Sequence, residues 1–239
     1  MKAVLFDLDG TLLPLDTLDF VAKYFQAVSR RFEHLLPSHR FRALLWQAVT
    51  VMIDTDHPDR TNQEVFVDAF CKLSGLRPEE FMPLFERFYS EDFPLLRNGV
   101  VPNPRAVETV ELARKLGFKV VLATNPVYPA TAILQRLEWA GLSPLHFDFI
   151  TTYEQMHACK PSVRYYQEVL DLVGCAPEHC LMVGNDTLED MVAGQLGMLT
   201  YLVQDFAIES TQGIQPHFRG SWPELKQLLL GLAVRSCVP

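Results

Sequence analysis

The sequence predicts an α/β protein: a parallel sheet with helices on both faces, and a helical block inserted near its start. Three observations point to it. An apolar run, Ala3-Val4-Leu5-Phe6, stops at an acidic turn, Asp7-Leu8-Asp9-Gly10-Thr11. From Asp16 to about Phe93 apolar residues recur at helical spacing with no clear strand pattern. From about Arg97 onward short β-rich runs alternate with helical stretches, the one-dimensional signature of parallel strands joined by crossover helices.

Ala3–Phe6 reads as a short buried strand bounded by the turn residue Gly10, and Pro14 makes Leu12–Leu15 an irregular connector. Asp16 or Thr17 caps a first helix carrying Leu18, Val21, Tyr24, Phe25, Val28 and Phe32, ending near Pro37. Ser38 starts a second, with Phe41, Leu44, Leu45, Ala48, Val49 and Met52, followed by an interhelical loop over Asp54–Asp59. Thr61-Asn62-Gln63-Glu64 resembles a capping box and opens a third helix, closed by Gly75. Pro78 suits the first turn of a fourth, running through Phe81, Leu84, Phe85 and Phe88. The aromatic residues of this bundle, Phe20, Tyr24, Phe25 and Trp46 among them, read as its core.

Further on, helices are expected at Pro104–Lys115, Ala130–Ala140, Val163–Val173, Glu189–Leu196 and Pro223–Leu232. Strands are expected at Phe118–Ala123, Phe147–Ile150, Cys180–Val183 and Met198–Val203, with Asp205–Gly220 irregular.

Composition narrows the class. With 239 residues, 49% of them hydrophobic and 21% charged, the chain is globular and long enough for one large domain or a core with an insertion. A formal charge of −8 argues against general affinity for nucleic acid or anionic membranes. No apolar run reaches transmembrane length, and the start is too short for a signal peptide. Cys71, Cys159, Cys175, Cys180 and Cys237 form no CxxC pair and are odd in number, which fits reduced thiols in a cytoplasmic protein.

Two carboxylates one residue apart at a strand end suit a divalent cation plus a nucleophile, and a kept pleat would turn Asp7 and Asp9 to the same side. A charged strand end before a turn accounts for the bare pair equally well. Thr124-Asn125 follows the second expected strand, Lys160-Pro161 the third, and Gly184-Asn185-Asp186 with Glu189-Asp190 the fourth. Each alone has an ordinary explanation: a helix cap, a solvated lysine, an acid at a helix dipole. In this order they gather beyond the carboxyl ends of the strands, where such sheets bind ligands.

Taken together these residues resemble the haloacid dehalogenase-like hydrolase superfamily. Asp7-Leu8-Asp9-Gly10-Thr11 matches its DxDGT motif in full, Thr124 its second motif, Lys160 its third, and Asp186 with Asp190 its acidic fourth. The family often writes that fourth motif Gly-Asp with a second Asp four or five residues on. Here Asn185 stands between Gly184 and Asp186, and a carboxylate is the better ligand for a hard cation, so Asp186 is preferred with Asn185 and Asp190 supporting.

The resemblance implies a Rossmann-like catalytic core over 1–14 and 97–239 and a helical cap domain over 15–96. It implies a Mg2+-dependent phosphatase acting on a small phosphorylated metabolite. Asp7 would attack phosphorus and form an aspartyl-phosphate; Asp9 would act as general acid and base. Mg2+ would bind Asp7, the Asp9 carbonyl and Asp186, while Thr124, the Asn125 N–H and Lys160 would hold the phosphoryl oxygens. Dehalogenases of the superfamily typically lack an acid two residues beyond the nucleophile, so Asp9 favours phosphate chemistry. A phosphomutase of the same fold and a non-catalytic protein keeping the fold are the alternatives. A dinucleotide-dependent oxidoreductase would need a GxGxxG turn after the first strand, which is missing. Substrate identity and oligomeric state are not readable at this level.

Overall fold

The computed structural model describes residues 1–55 and 57–236; Asp56 and Cys237 lie outside the described residues. Six strands, β1 Ala3–Phe6, β2 Lys119–Leu122, β3 Phe149–Ile150, β4 Cys180–Gly184, β5 Leu199–Val203 and β6 Phe218–Gly220, form one parallel sheet in the order β3-β2-β1-β4-β5-β6. The chain runs outward from β1 through β2 to β3, then crosses back to lay β4 on the other side of β1. The crevice of such a sheet opens where that direction reverses, at the carboxyl ends of β1 and β4.

β1 is central, and all four of its side chains are fully buried. Its two-residue periodicity assigns them to different cores. Val4 and Phe6 join Val120, Leu122, Leu181 and Val183 on one face, beneath α5 (Pro104–Lys115), α6 (Ala130–Trp139) and α8 (Trp222–Ser236). Ala3 and Leu5 join Val121 and Met182 on the other, against Tyr165, Tyr166 and Val169 of α7 (Val163–Val173). A strand buried on both faces has no polar positions, which is why it reads as an unbroken apolar run.

Four helices occupy the stretch between β1 and β2: α1 Thr17–Arg31, α2 Ser38–Asp54, α3 Asn62–Ser74 and α4 Pro78–Arg87. Asp16 caps α1 through the Asp19 N–H, and Thr61 with Glu64 forms the capping box expected for α3. Gly75 closes α3 at φ 76°, a conformation a side chain would strain. On α1 Phe20, Tyr24 and Val28 are buried as expected, but Leu18 is 80% exposed. After α4 the chain continues through a π-helical turn, Phe88–Asp92, and a 3-10 turn, Phe93–Arg97. These bring Phe93 onto Trp139 of α6, ring centroids 5.2 Å apart and nearly parallel.

The start of α3 is tied to the sheet's loops. Asn62 N–H donates to the Met156 carbonyl at 2.8 Å and Gln63 N–H to that of Tyr153 at 2.9 Å. The buried Asn62 side chain donates to the Pro126 and Ala158 carbonyls. These bonds satisfy helix-start donors that have no partner within the helix.

Two expected elements differ. Glu189–Leu196 is a turn followed by a 3-10 segment, Met191–Leu196, because the Asp186 and Asp190 side chains take nearby backbone N–H groups and compete with an α-helical start. The Asp205–Gly220 stretch contains the edge strand β6, whose three residues are too few to show a period.

Candidate active site

The strand β1 ends at Phe6, and Asp7 N–H continues the ladder to the Val183 carbonyl at 2.9 Å. The chain then turns through Leu8 and Gly10, and Gly10 sits at φ 74°. That turn separates the two carboxylates, so a shared pleat direction is not what joins them. Asp7 meets Lys160 from the loop before α7, at 2.8 Å; Asp9 meets Arg136 on α6. Both nevertheless line one cavity of about 250 Å3, together with Thr124, Asn125, Asn185, Asp186, Glu189 and Asp190. All eight site residues expected from sequence thus reach the same place, except that Lys160 comes from behind the wall.

Lys160 is fully buried and bridges two carboxylates, Asp7 Oδ1 at 2.8 Å and Asp190 Oδ1 at 2.6 Å. Burial opposes its charge, but Asp190 and then Asp7 outweigh burial and hold the ammonium well above its ordinary range. The other oxygen of Asp190 accepts the N–H groups of Asn185 and Asp186, each at 2.9 Å. With both oxygens engaged and 1% exposure, Asp190 orients Lys160 and the loop after β4. Gly184 makes room for it: a Cβ there would collide with Asp190 Oδ2.

Asn185 is also engaged. Its Oδ1 accepts the Thr11 hydroxyl at 3.1 Å and its Nδ2 donates to the Phe206 carbonyl at 2.7 Å. The amide needs both a donor and an acceptor, so this position ties the first motif to the loop after β5. Asp186 uses one oxygen, Oδ1, to accept the Leu188 and Glu189 N–H groups, a local turn that leaves the carboxylate at the cavity wall. Asn125 donates to the Lys160 carbonyl and to Glu189 and accepts the Lys160 N–H, so its side chain sets the lysine's backbone. The Thr124 carbonyl receives the hydroxyls of Tyr165 and Thr151, which pins the end of β2.

Sequence reasoning missed Arg136. Its side chain is fully buried, pairs with Asp9 Oδ2, and lies over the Tyr128 ring at 4.3 Å from the centroid. Among the described residues Asp9 Oδ1 and Arg136 Nε and Nη2 have no hydrogen-bond partner. The available signal was an arginine within the apolar pattern Ile133-Leu137 of a core helix. Glu189 is expected at this strand end from the sequence, but without a role in the site. Burial pushes its carboxyl up to about 7, against the pull of Lys160 and with the repulsion of Asp190 and Asp186.

Five carboxylates, Asp7, Asp9, Asp186, Glu189 and Asp190, therefore meet two cations, Lys160 and Arg136. Burial raises the Asp7 carboxyl well above the ordinary range; Lys160 opposes this and Asp190 adds to it. Crowding of the carboxylates adds to burial in raising Asp7 and Glu189. Cys159, by contrast, is a packed thiol whose proton burial retains.

The helical block supplies the opposite wall. Phe20 and Tyr24 are buried in the core as expected, with Phe25 packed against it, and all three border the cavity; Trp46, also expected in the core, is 59% exposed at its edge. Helical period shows that a face is apolar but not what it faces. A larger cleft of about 640 Å3 lies elsewhere, lined by Arg30, Arg31, His34 and Arg87 and remote from the carboxylates. Among the described residues no helix is long and apolar enough to cross a membrane.

The sheet order, the DxDGT turn and the buried carboxylate–lysine–carboxylate bridge together place a hydrolase-type polar crevice at the carboxyl ends of an open α/β sheet. A family model of the haloacid dehalogenase-like hydrolases matches residues 1–197, and the chain belongs to that family. It is 25% identical over 195 residues to the pyrophosphatase PpaX of Oceanobacillus iheyensis, covering 82% of this chain and 79% of the relative. It is 26% identical over 227 residues to a glyceraldehyde 3-phosphate phosphatase of Methanothermobacter thermautotrophicus, covering 88% of each. The crystal structure of a HAD phosphatase from Thermococcus onnurineus shares the fold, with a TM-score of 0.59, 23% identity, and coverage of 96% of this chain and 98% of that one.

Proposed function

We propose that this hydrolase is a phosphatase that cleaves a phosphate monoester of a small metabolite through an aspartyl-phosphate on Asp7, with Mg2+ as cofactor. The observation that carries the reading is the bridge of buried Lys160 between Asp7 and Asp190, set at the carboxyl end of β1 beneath the cavity. The names of the pyrophosphatase and phosphatase relatives support the same chemistry.

In this reading an Asp7 oxygen attacks phosphorus as the bond to the leaving oxygen breaks, and Asp9 gives that oxygen its proton. Water then attacks phosphorus, Asp9 takes its proton, and the bond to Asp7 breaks to free phosphate. Lys160 neutralises charge on Asp7 and on the transferring group; Thr124 and the Asn125 N–H receive phosphoryl oxygens. Asp190 acts through Lys160 and is a positioning residue. Asp186, Asp7 and the Asp9 backbone carbonyl would hold Mg2+, which would shield the anionic nucleophile from the anionic phosphate. The donor set fits: oxygen ligands from carboxylates, which outnumber the cations at the site, suit a hard divalent cation. We assign residues 15–96 the role of a cap over the core formed by 1–14 and 97–239.

Phosphate release from p-nitrophenyl phosphate and a panel of phosphorylated metabolites, with Mg2+ and with EDTA, tests the reading. Metal-dependent release that vanishes in Asp7→Asn is expected. A folded wild-type protein that releases no phosphate and binds no beryllofluoride at Asp7 would overturn it.

A further inference from the structure

The cavity joins two chemically opposed walls. Its floor is acidic and polar, from the ends of β1, β2 and β4. Its opposite wall, from α1, α2 and the segment after β2, presents Phe25, Trp46, Val49, Ile53 and Val127. Among the described residues no lysine, arginine or histidine side chain lines the cavity. Both nearby cations are fully buried and already paired from behind, Lys160 with Asp7 and Asp190, Arg136 with Asp9.

Among the described residues the basic side chains of the helical block, the exposed Arg40 and Arg42 of α2 included, do not line the cavity. Lys23 pairs with Asp19 at 2.7 Å, Arg31 with Asp92 at 2.6 Å and Lys72 with Asp68 at 2.8 Å. Arg30 and Arg87 face the separate cleft. A second anionic group on the substrate would therefore be moved from water against apolar side chains and a surplus of carboxylates, with no cation to receive it. That transfer is strongly unfavourable. An apolar group in the same place would displace water from aromatic surface, which is favourable.

Resting on the phosphatase reading, we propose that the site selects monoesters whose alcohol is small, uncharged and apolar, and discriminates against leaving groups that carry a second phosphate or a carboxylate. The half-exposed Trp46, in contact with Phe25 at 6.1 Å between centroids, forms the outer edge of the alcohol subsite. The volume of about 250 Å3 sits below the roughly 300–1,000 Å3 usual for drug-sized ligands, which limits the alcohol to about one ring.

The test compares kcat/KM for benzyl phosphate, glycerol 3-phosphate, 3-phosphoglycerate and pyrophosphate in Mg2+, with the tryptophan fluorescence change of the Asp7→Asn variant that Trp46→Ala abolishes as a separate measure of binding. The first three are alkyl esters of similar intrinsic reactivity, so differences among them report the alcohol subsite. Benzyl phosphate is expected to exceed 3-phosphoglycerate and pyrophosphate by about 100-fold, within the range a pocket gives by contact alone. Trp46→Ala should raise the benzyl phosphate KM by about ten-fold with kcat little changed, the mark of lost uniform binding. Val49→Lys should narrow the gap by favouring 3-phosphoglycerate. Turnover of pyrophosphate or 3-phosphoglycerate at equal or greater kcat/KM overturns the inference while leaving the phosphatase standing. No turnover of any ester, with fluorescence unmoved by benzyl phosphate, overturns both.

Discussion

Arg136 and Asp9, 127 residues apart in the chain, form an ion pair beneath the cavity floor, with the guanidinium fully buried under the Tyr128 ring. The pair couples the second carboxylate of the DxDGT turn to a core helix, so the orientation of Asp9 is set by tertiary packing and not by its own turn. Replacing Arg136 with Gln leaves Asp9 unpaired. Removing one partner of a buried pair costs about 3–5 kcal/mol, and the partial exposure of Asp9 to the cavity places this case near about 3. Urea unfolding should show that loss, with Arg136→Lys recovering part of it. Unchanged stability in Arg136→Gln would mean that the pair does not hold Asp9.

Asn185 yields a prediction that runs against family habit. Changing it to Asp restores the acid common at that place in the family, yet sets a carboxylate oxygen against the Phe206 carbonyl and removes the donor that now satisfies it. A loss of about 1–3 kcal/mol is expected. Thermal unfolding of Asn185→Asp checks this; a stabilised variant would show that the amide's donor is dispensable.

Gly184 is the third case. Any Cβ there collides with Asp190, so Gly184→Ala must displace the carboxylate that holds Lys160 and two backbone N–H groups. Overpacking of this kind costs about 1–3 kcal/mol, and the displacement should also lower kcat by more than it changes KM. Ordinary kcat in a folded Gly184→Ala protein would remove Asp190 from its positioning role.

The pH dependence of stability should carry a contribution from the start of α8. Glu224 accepts the N–H and hydroxyl of Ser221, each at 2.7 Å, and the backbone bond, then the hydroxyl bond, holds its carboxyl below the ordinary range. A depressed carboxyl means that the unfolded chain takes up its proton first as pH falls. The contribution is therefore present above the ordinary carboxyl range and is lost on acidification through the folded value. Glu224→Gln should lower stability near pH 7, flatten the profile in that window and converge with wild type below it. An acid limb identical to wild type would rule this contribution out.

The alternation of strands and helices, the buried first strand, the capping box at Thr61 and the spacing of Asp7, Asp9, Thr124, Lys160 and Asp186 were all legible in one dimension. Each rests on local rules: period, cap chemistry, or a short motif at a strand end. The misses share the opposite character. The short strand β6 forms because β5 offers an edge, and the segment at Met191–Leu196 is wound by carboxylates engaged across the loop. Leu18 points to solvent although it fits the apolar period, and Trp46 fronts a cavity although it reads as core.

The sequence by itself therefore determined the layer architecture, the order of the motifs and the set of polar groups that meet beyond the sheet. Only the tertiary structure decided how those groups divide their work. A hydrogen bond or ion pair has one partner at a time. Which oxygen of Asp190 faces Lys160, why Asn185 is taken by Thr11 and Phe206, and why Arg136 rather than a lysine of the helical block reaches Asp9 depend on distances between elements far apart in the chain.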